Sequence, residues 1–173
     1  MPGRTFYQQT LTAMIRSVRT SDAAAICDIY NDYIKTSTAT FEEEPVSVEE
    51  MMERINSITR DFPWLVVEVD GAVVGYTYAR KWRDRAAYRH TAETGTYLDA
   101  RFTGKGIGTR LKKSLLDELK ARGFHVVISG ISLPNPASIA LCENFGFKKV
   151  AHFSEVGYKF GKWIDVGYWQ LKL

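Results

Sequence analysis

Two stretches of this 173-residue chain carry the residue types best suited to chemistry. Arg101 to Thr109 reads RFTGKGIGT, following the apolar run Thr94 to Leu98 and leading into a helix whose apolar positions Ile107, Leu111, Leu115, Leu116 and Leu119 recur at three- and four-residue steps. Strand, glycine loop, helix is an anion-binding layout, because the first N–H groups of the helix and its dipole face whatever sits above them. A pyrophosphate would fit there. The alternating Gly104, Gly106 and Gly108 match neither the dinucleotide fingerprint G-x-G-x-x-G nor the P-loop. In the second stretch Arg80, Lys81, Arg83, Arg85 and Arg89 are interleaved with Trp82 and Tyr88. That mixture could bind nucleic acid, form a solvated charge run, or clamp an anionic small molecule through bidentate guanidinium contacts.

The whole chain carries a formal charge of only +3, which argues against a nucleic-acid partner and for the clamp. Hydrophobic residues make up 45% and charged residues 25%, an ordinary globular balance for one domain. The spacing of Cys27 and Cys142 suits neither a metal site nor a disulfide framework, and His90, His125 and His152 are scattered, so no metal is expected. Reduced cysteines, no apolar run long enough for a membrane span and no signal-peptide core point to a cytoplasmic protein without a membrane partner. Residues 1–13 read as a loose extension and 14–173 as the domain.

The elements that must position the two stretches follow from local signals. Met14 to Arg19 reads as a strand, and Ser21 caps a helix through Lys35 with Ile26, Ile29, Tyr30, Tyr33 and Ile34 on one face. Thr36 to Pro45 is a loop containing Phe41, and Ser47 with Glu50 forms a capping box for a helix to about Arg60. WLVVEV, Asp70-Gly71 and VVGYTYA form a hairpin. Thr91 to Asp99 is the strand feeding the glycine loop, with Gly95 as a bulge. Gly123 ends the long helix, Val126 to Ile131 is a buried strand, and Asn135 with Pro136 starts a short helix ending at Gly146. Phe147 to Phe153 and Trp163 to Leu171 are strands, with Gly161-Lys162 as a turn. The sum is an α/β (α+β) domain, a mixed and mostly antiparallel twisted sheet with helices on both faces.

The motif R-x-x-G-x-G at Arg101, Gly104 and Gly106 resembles the acetyl-CoA loop of the GNAT superfamily of N-acetyltransferases. NPASIALCENFGF, with Asn135, Ser138, Leu141 and Gly146-Phe147, resembles the segment that flanks the pantetheine arm in that family. STATF, FPWLVVEVDG, the loop from Trp82 to Tyr88, HTAETGTYL and GYKFGKWIDVGYWQL extend the likeness, from about Ile15 to Leu173, to the phosphinothricin and methionine-sulfoximine N-acetyltransferase subgroup. The resemblance implies a GNAT-like fold with a splayed central strand pair, acetyl-CoA as donor, the α-amino group of a small amino-acid analogue as acceptor, and a homodimer.

It also implies residue roles. Glu93, on the strand entering the loop, falls where the subgroup has a catalytic glutamate, which would deprotonate the acceptor amine. Gly104, Lys105, Gly106, Gly108 and Thr109 would surround the pyrophosphate, with Arg101 at the entrance and Asn135 and Ser138 beside pantetheine. The Leu98 N–H would polarise the thioester carbonyl. Arg83, Arg85 and Tyr88 fall on positions that contact the substrate's acidic groups, Phe41 would line the same pocket, and Val166 would reach it from the partner subunit. Cys142 departs from the pattern, which has Tyr or His there; the chain then either uses water to protonate the thiolate or leaves the general acid open, with Cys142 in the core. The alternatives are a non-catalytic acyl-CoA sensor and a peptide N-terminal or polyamine acetyltransferase.

Overall fold

The computed structural model describes residues 13–173. The expected loose extension lies outside them except for Ala13, which opens the first strand. β1 (Ala13–Ser17), β2 (Trp64–Val69), β3 (Ala72–Lys81), β4 (Thr91–Leu98), β5 (Val126–Ser132), β6 (Lys148–Lys159) and β7 (Lys162–Lys172) form one seven-stranded sheet in the order β1-β2-β3-β4-β5-β7-β6. Every neighbouring pair is antiparallel except the central β4–β5 pair, which is parallel.

Period-two alternation along β2 sends Trp64 and Val66 to one face and Leu65, Val67 and Val69 to the other, and each face collects its own core. On the first face α1 (Ala23–Thr36) and α2 (Val48–Ile58) contribute Ile26, Ile29, Ile34, Met51 and Ile55. On the second, α3 (Ile107–Ala121) buries the expected Ile107, Leu111, Leu115, Leu116 and Leu119, beside α4 (Pro136–Glu143). Helices therefore cover both faces, as the apolar periodicity requires.

Most local signals act as expected. Asp70 and Gly71, at φ 52° and 80°, make the tight β2–β3 turn, and Asn135 Oδ1 accepts from the Ser138 N–H at 3.1 Å to start α4. Four expectations are corrected. Ser21 is not a helix cap: Thr20–Asp22 is a 3-10 turn, and Asp22 instead receives both Arg16 Nη groups at 2.8 Å. Ser47 Oγ accepts from the Glu50 N–H at 3.1 Å, but the Glu50 carboxylate turns to Arg54 one helical turn on rather than back to the cap. Gly95 makes no bulge, since the β3–β4 register runs unbroken from Gly75–Leu98 to Lys81–Ala92. The β6–β7 turn is Phe160-Gly161, both at positive φ, and Lys162 already belongs to β7.

β4 and β5 pair only over Thr91–Glu93 and Val126–Ile128. Beyond that point β4 continues to Leu98 against β3, and β5 continues to Ser132 against β7, so the sheet forks at its centre. The helix that closes the fork from behind is α3. Its Leu115 is fully buried, and Leu115→Ala should cost about 2–5 kcal/mol, read as a lower urea midpoint with an unchanged denaturant slope; a change under about 0.5 kcal/mol would mean that this face collapses without loss.

Candidate active site

The fork is built from strand geometry. The Asp99 N–H donates to Val74 O at 2.9 Å, so the odd-numbered residues of β4 hydrogen-bond to β3. Alternation then aims the even-numbered amides away from β3: that of Thr94 is still taken by the last rung of the β4–β5 ladder, and those of Thr96 and Leu98 point into the fork, where β5 has already diverged. The cavity between the strands is lined by Thr94 to Tyr97, Gly130 to Ser132 and, from α4 and its cap, Asn135, Ser138, Leu141 and Cys142.

At its far end the fork meets the glycine loop. The first α3 bond runs from the Arg110 N–H to Gly106 O at 3.1 Å, which leaves the N–H groups of Ile107, Gly108 and Thr109 without an intrahelical acceptor. Gly104 and Gly106 take φ of 72° and 75°, and a Cβ at either would meet nothing within 4 Å, so the cradle above the helix is open. Arg101 binds Asp99 at 2.6 Å and stands exposed at the entrance. Lys105 lies 5.1 Å from the Phe102 ring centroid.

Glu93 sits at the apex, the last β4 residue still paired with β5. Its Oε2 accepts from Arg80 Nε at 2.8 Å, while Oε1 lies close to Gly130. Both side chains face a cavity of about 580 Å³ lined also by Phe41, Tyr78, Tyr97, Val166 and Tyr168. This cavity shares Thr94, Gly95, Tyr97, Gly130 and Ser132 with the fork, so the two spaces are continuous. Glu42 lies in the same wall; burial pushes its carboxyl up, but Arg54 at 2.7 Å and the Tyr30 hydroxyl at 3.0 Å outweigh that and hold it below the usual carboxylate range. The rim is closed by Lys159, whose buried ammonium donates to Ser37 O and Thr40 O, both at 2.8 Å.

The expected site residues divide between two places. Glu93, Phe41 and Val166 share the large cavity, Val166 as a residue of the same chain. Asn135 and Ser138 line the fork, and the loop residues surround the helix start. Arg83, Arg85 and Tyr88 are elsewhere: they line a separate cavity of about 440 Å³ with Asp61, Phe62 and Phe124, because β3 ends at Lys81 and the chain turns away through a 3-10 turn at Ala86–Tyr88. Leu98 ends β4, at the other end of the fork from Glu93. β4 is extended, so five residues place its amide roughly 16 Å from Glu93, at the loop end of the fork rather than at the apex.

Two further side chains complete the site, Arg80, one of five cations in a run of the sequence, and Lys112 on α3. Lys112 interrupts the apolar face of α3 between Leu111 and Leu115, which is the sequence signal for it. Its side chain is buried, and Nζ donates to Thr94 Oγ1 at 2.8 Å and to Ser129 Oγ at 3.1 Å. Burial pushes its pKa down to about 8, opposed only by the nearby Cys142.

Residues 15–167 match the acetyltransferase (GNAT) domain. A phosphinothricin N-acetyltransferase of Streptomyces viridochromogenes is 41% identical over 156 residues, 90% of this chain and 85% of that protein. An L-methionine sulfoximine/L-methionine sulfone acetyltransferase of Salmonella typhimurium is 35% identical over 92% of this chain and 94% of its own length. The crystal structure of a GNAT superfamily phosphinothricin acetyltransferase from Sinorhizobium meliloti in complex with AcCoA superposes with a TM-score of 0.91 at 37% identity, covering 94% of this chain and 89% of that one.

The buried Lys112 makes stability depend on pH. The folded chain holds this proton less tightly than the unfolded chain, so stability rises as pH climbs from about 8 to the ordinary lysine value of 10.5. The gain across that window is roughly 3 kcal/mol. Urea unfolding of the wild type relative to Lys112→Met across the window should show the rise in the wild type alone; parallel curves would mean that water reaches the ammonium.

Proposed function

As a member of the GNAT acetyltransferase family, this chain is an N-acetyltransferase, and we propose that it moves an acetyl group directly from acetyl-CoA to the α-amino group of a small amino-acid analogue of the phosphinothricin, methionine sulfoximine or methionine sulfone type. The residues present fit the donor. The free amides at the start of α3 and the open cradle over Gly104 and Gly106 suit a doubly charged pyrophosphate, with Arg101, Lys105, Gly108 and Thr109 around it. The unpaired β4 amides, including that of Leu98, offer hydrogen bonds to the amide groups of a pantetheine arm, as an added strand would receive them. Asn135 has its oxygen engaged in the α4 cap and offers its NH2, beside Ser138. Acetyl-CoA supplies the acetyl group already activated as a thioester.

Glu93 is the base in this reading. An amino-acid ammonium cannot attack until it loses a proton, and Glu93 takes that proton directly or through water. Arg80 fixes one carboxylate oxygen at 2.8 Å and leaves Oε1 toward the fork. The free amide of Thr96 stands nearer Glu93 than Leu98 does and takes over the polarisation of the thioester carbonyl. Arg80 is also the cation of the large cavity, and receives the acceptor's carboxylate or second anionic end, while Phe41, Val166 and Tyr168 supply apolar wall.

We further propose a cytoplasmic homodimer. Both cysteines are buried and unpaired, and the edge strand β6 with its turn exposes Phe153, Val156, Tyr158 and Phe160 beside Trp163 of β7, an apolar surface that a second copy could cover. No helix among the described residues is long and apolar enough to cross a membrane.

The observation that carries the acceptor reading is the position of Glu93, at the point where the fork opens into a cavity large enough to admit an amino acid. Thiol release from acetyl-CoA, assayed with phosphinothricin, methionine sulfoximine, methionine sulfone, a tripeptide and spermidine, should show turnover with the first three. Glu93→Gln should lower kcat/KM about a hundredfold or more. Acetyl-CoA binding without release would instead identify a sensor, and faster turnover of spermidine or the tripeptide would overturn the acceptor class. In a separate titration, Gly106→Val should weaken CoA binding by about tenfold or more, since a β-branched side chain is strained at positive φ and would project into the open cradle; unchanged affinity would place the pyrophosphate elsewhere.

A further inference from the structure

We propose that Lys112 is the acid that meets the departing sulfur at the fork, approaching from the face of the sheet opposite Glu93. The inference rests on the acetyl-transfer reading and adds a catalytic group to it. Glu93 and Thr94 are consecutive on β4, so their side chains leave the strand on opposite faces at the same point along the fork. Glu93 turns to the large cavity. Thr94 turns to α3, where its hydroxyl meets Lys112 Nζ at 2.8 Å and Ser129 Oγ at 2.9 Å. The strands part directly beyond this cluster, and Lys112 lines the fork together with Asn135, Ser138, Leu141 and Cys142.

A purely structural account of this lysine is poor. An ammonium buried in an apolar helix face is costly unless paired, and the groups facing it include no carboxylate. From β4 and β5 it meets the Thr94 and Ser129 hydroxyls, from α4 the Cys142 thiol, and past α4 the Phe147 ring at 4.8 Å. Glu143, the carboxylate of α4, is taken by the Trp169 indole at 3.1 Å. Two of the three N–H donors of Lys112 are engaged by hydroxyls, so one remains for a ligand in the fork. Burial also places its proton affinity near that of a thiol, the match that proton transfer at near-neutral pH requires.

The step balances as follows. Glu93 accepts one proton from the acceptor ammonium before attack. The neutral nitrogen then forms the N–C bond, and the C–S bond breaks with its electron pair remaining on sulfur. Lys112 gives one proton to that sulfur and is left as a neutral amine, which regains a proton from water through the Thr94 and Ser129 hydroxyls. The nitrogen's surplus proton and the one held by Glu93 both return to solvent. The net change is ammonium plus thioester to amide, thiol and one proton. Cys142, buried and adjacent, needs no acid role.

The deciding experiment uses CoA and no acceptor. The ultraviolet absorbance of the thiolate in the enzyme–CoA complex, with the protein's own signal subtracted, is followed against pH. A cation beside the sulfur should make the bound thiol titrate about one pH unit or more below free CoA, and Lys112→Met should remove that shift while CoA affinity stays within about threefold. Lys112→Arg, which keeps the charge but cannot release a proton, should preserve the shift yet lower kcat about tenfold or more. A bound wild-type thiol that titrates like free CoA overturns the proposal, a comparison that needs no variant to fold. So does a Lys112→Arg enzyme with kcat within about twofold of wild type. Neither result bears on the acceptor, and failure to acetylate any amino-acid analogue would sink the acceptor reading without moving the thiol titration.

Discussion

The central strands stop bonding to each other halfway along, and that interruption governs the site. A backbone N–H or C=O in the middle of a sheet normally has a ladder partner, and leaving one unpaired away from water costs free energy. Here β4 keeps its bonds to β3 while its other edge is released after Glu93, and β5 stays bonded to β7 with its edge toward β4 left free beyond Ile128. The result is an edge strand at the middle of the domain, protected from aggregation by the helices on both faces and open only to something narrow and rich in amide groups. Closing the fork with a full β4–β5 ladder would satisfy the backbone and abolish the site.

The fork also divides labour between the two faces. On the face of α1 and α2, aromatic side chains from several elements form a rigid wall: Tyr97 meets the Tyr30 and Tyr33 rings edge-on at 5.2 and 5.1 Å and stacks with Tyr76 at 5.3 Å, while Trp64 stacks on Tyr78 at 4.7 Å. Into that wall are set two carboxylates and two guanidiniums, Glu42 with Arg54 and Glu93 with Arg80. The arrangement suits a zwitterion, since charges of both signs are held by the protein before any ligand arrives. On the face of α3 the fork is backed by an apolar core broken by one ammonium and two hydroxyls. A carboxylate and an ammonium are therefore held at the same point along the fork, on opposite faces, without neutralising each other across the sheet.

Features legible in the sequence were those encoded within a few residues. The positive-φ turn at Asp70-Gly71, the cap at Asn135, the apolar stripe of α3 and the glycine loop need only local propensity and spacing. Glu93 was legible as a residue of the strand entering the loop, singled out by the resemblance, but its place at the apex depends on where β5 parts from β4. What the sequence concealed depends on contacts between distant segments. Ser21 lost its cap to the attraction between Arg16 and Asp22, and Gly95 stayed in register because the Tyr78 ring packs against it. Arg80 and Arg83 look equivalent in a run of cations, yet the end of β3 between them sends one into the large cavity and the other around a corner. Lys112 was visible as a break in hydrophobic periodicity, but only the meeting of α3, β4 and β5 shows what occupies its head group.

Lys159 gives the cavity a mechanical property. By binding two carbonyls of the segment between α1 and α2 from the tip of the β6–β7 hairpin, it joins the opposite banks of the opening. Phe41 is wedged against Gly157 on the same hairpin, where even a methyl group would not fit. The mouth is thus a riveted frame, not a hinged flap. An enzyme built this way adapts to a new metabolite by exchanging the side chains that line the frame, and it gains nothing from lengthening a loop.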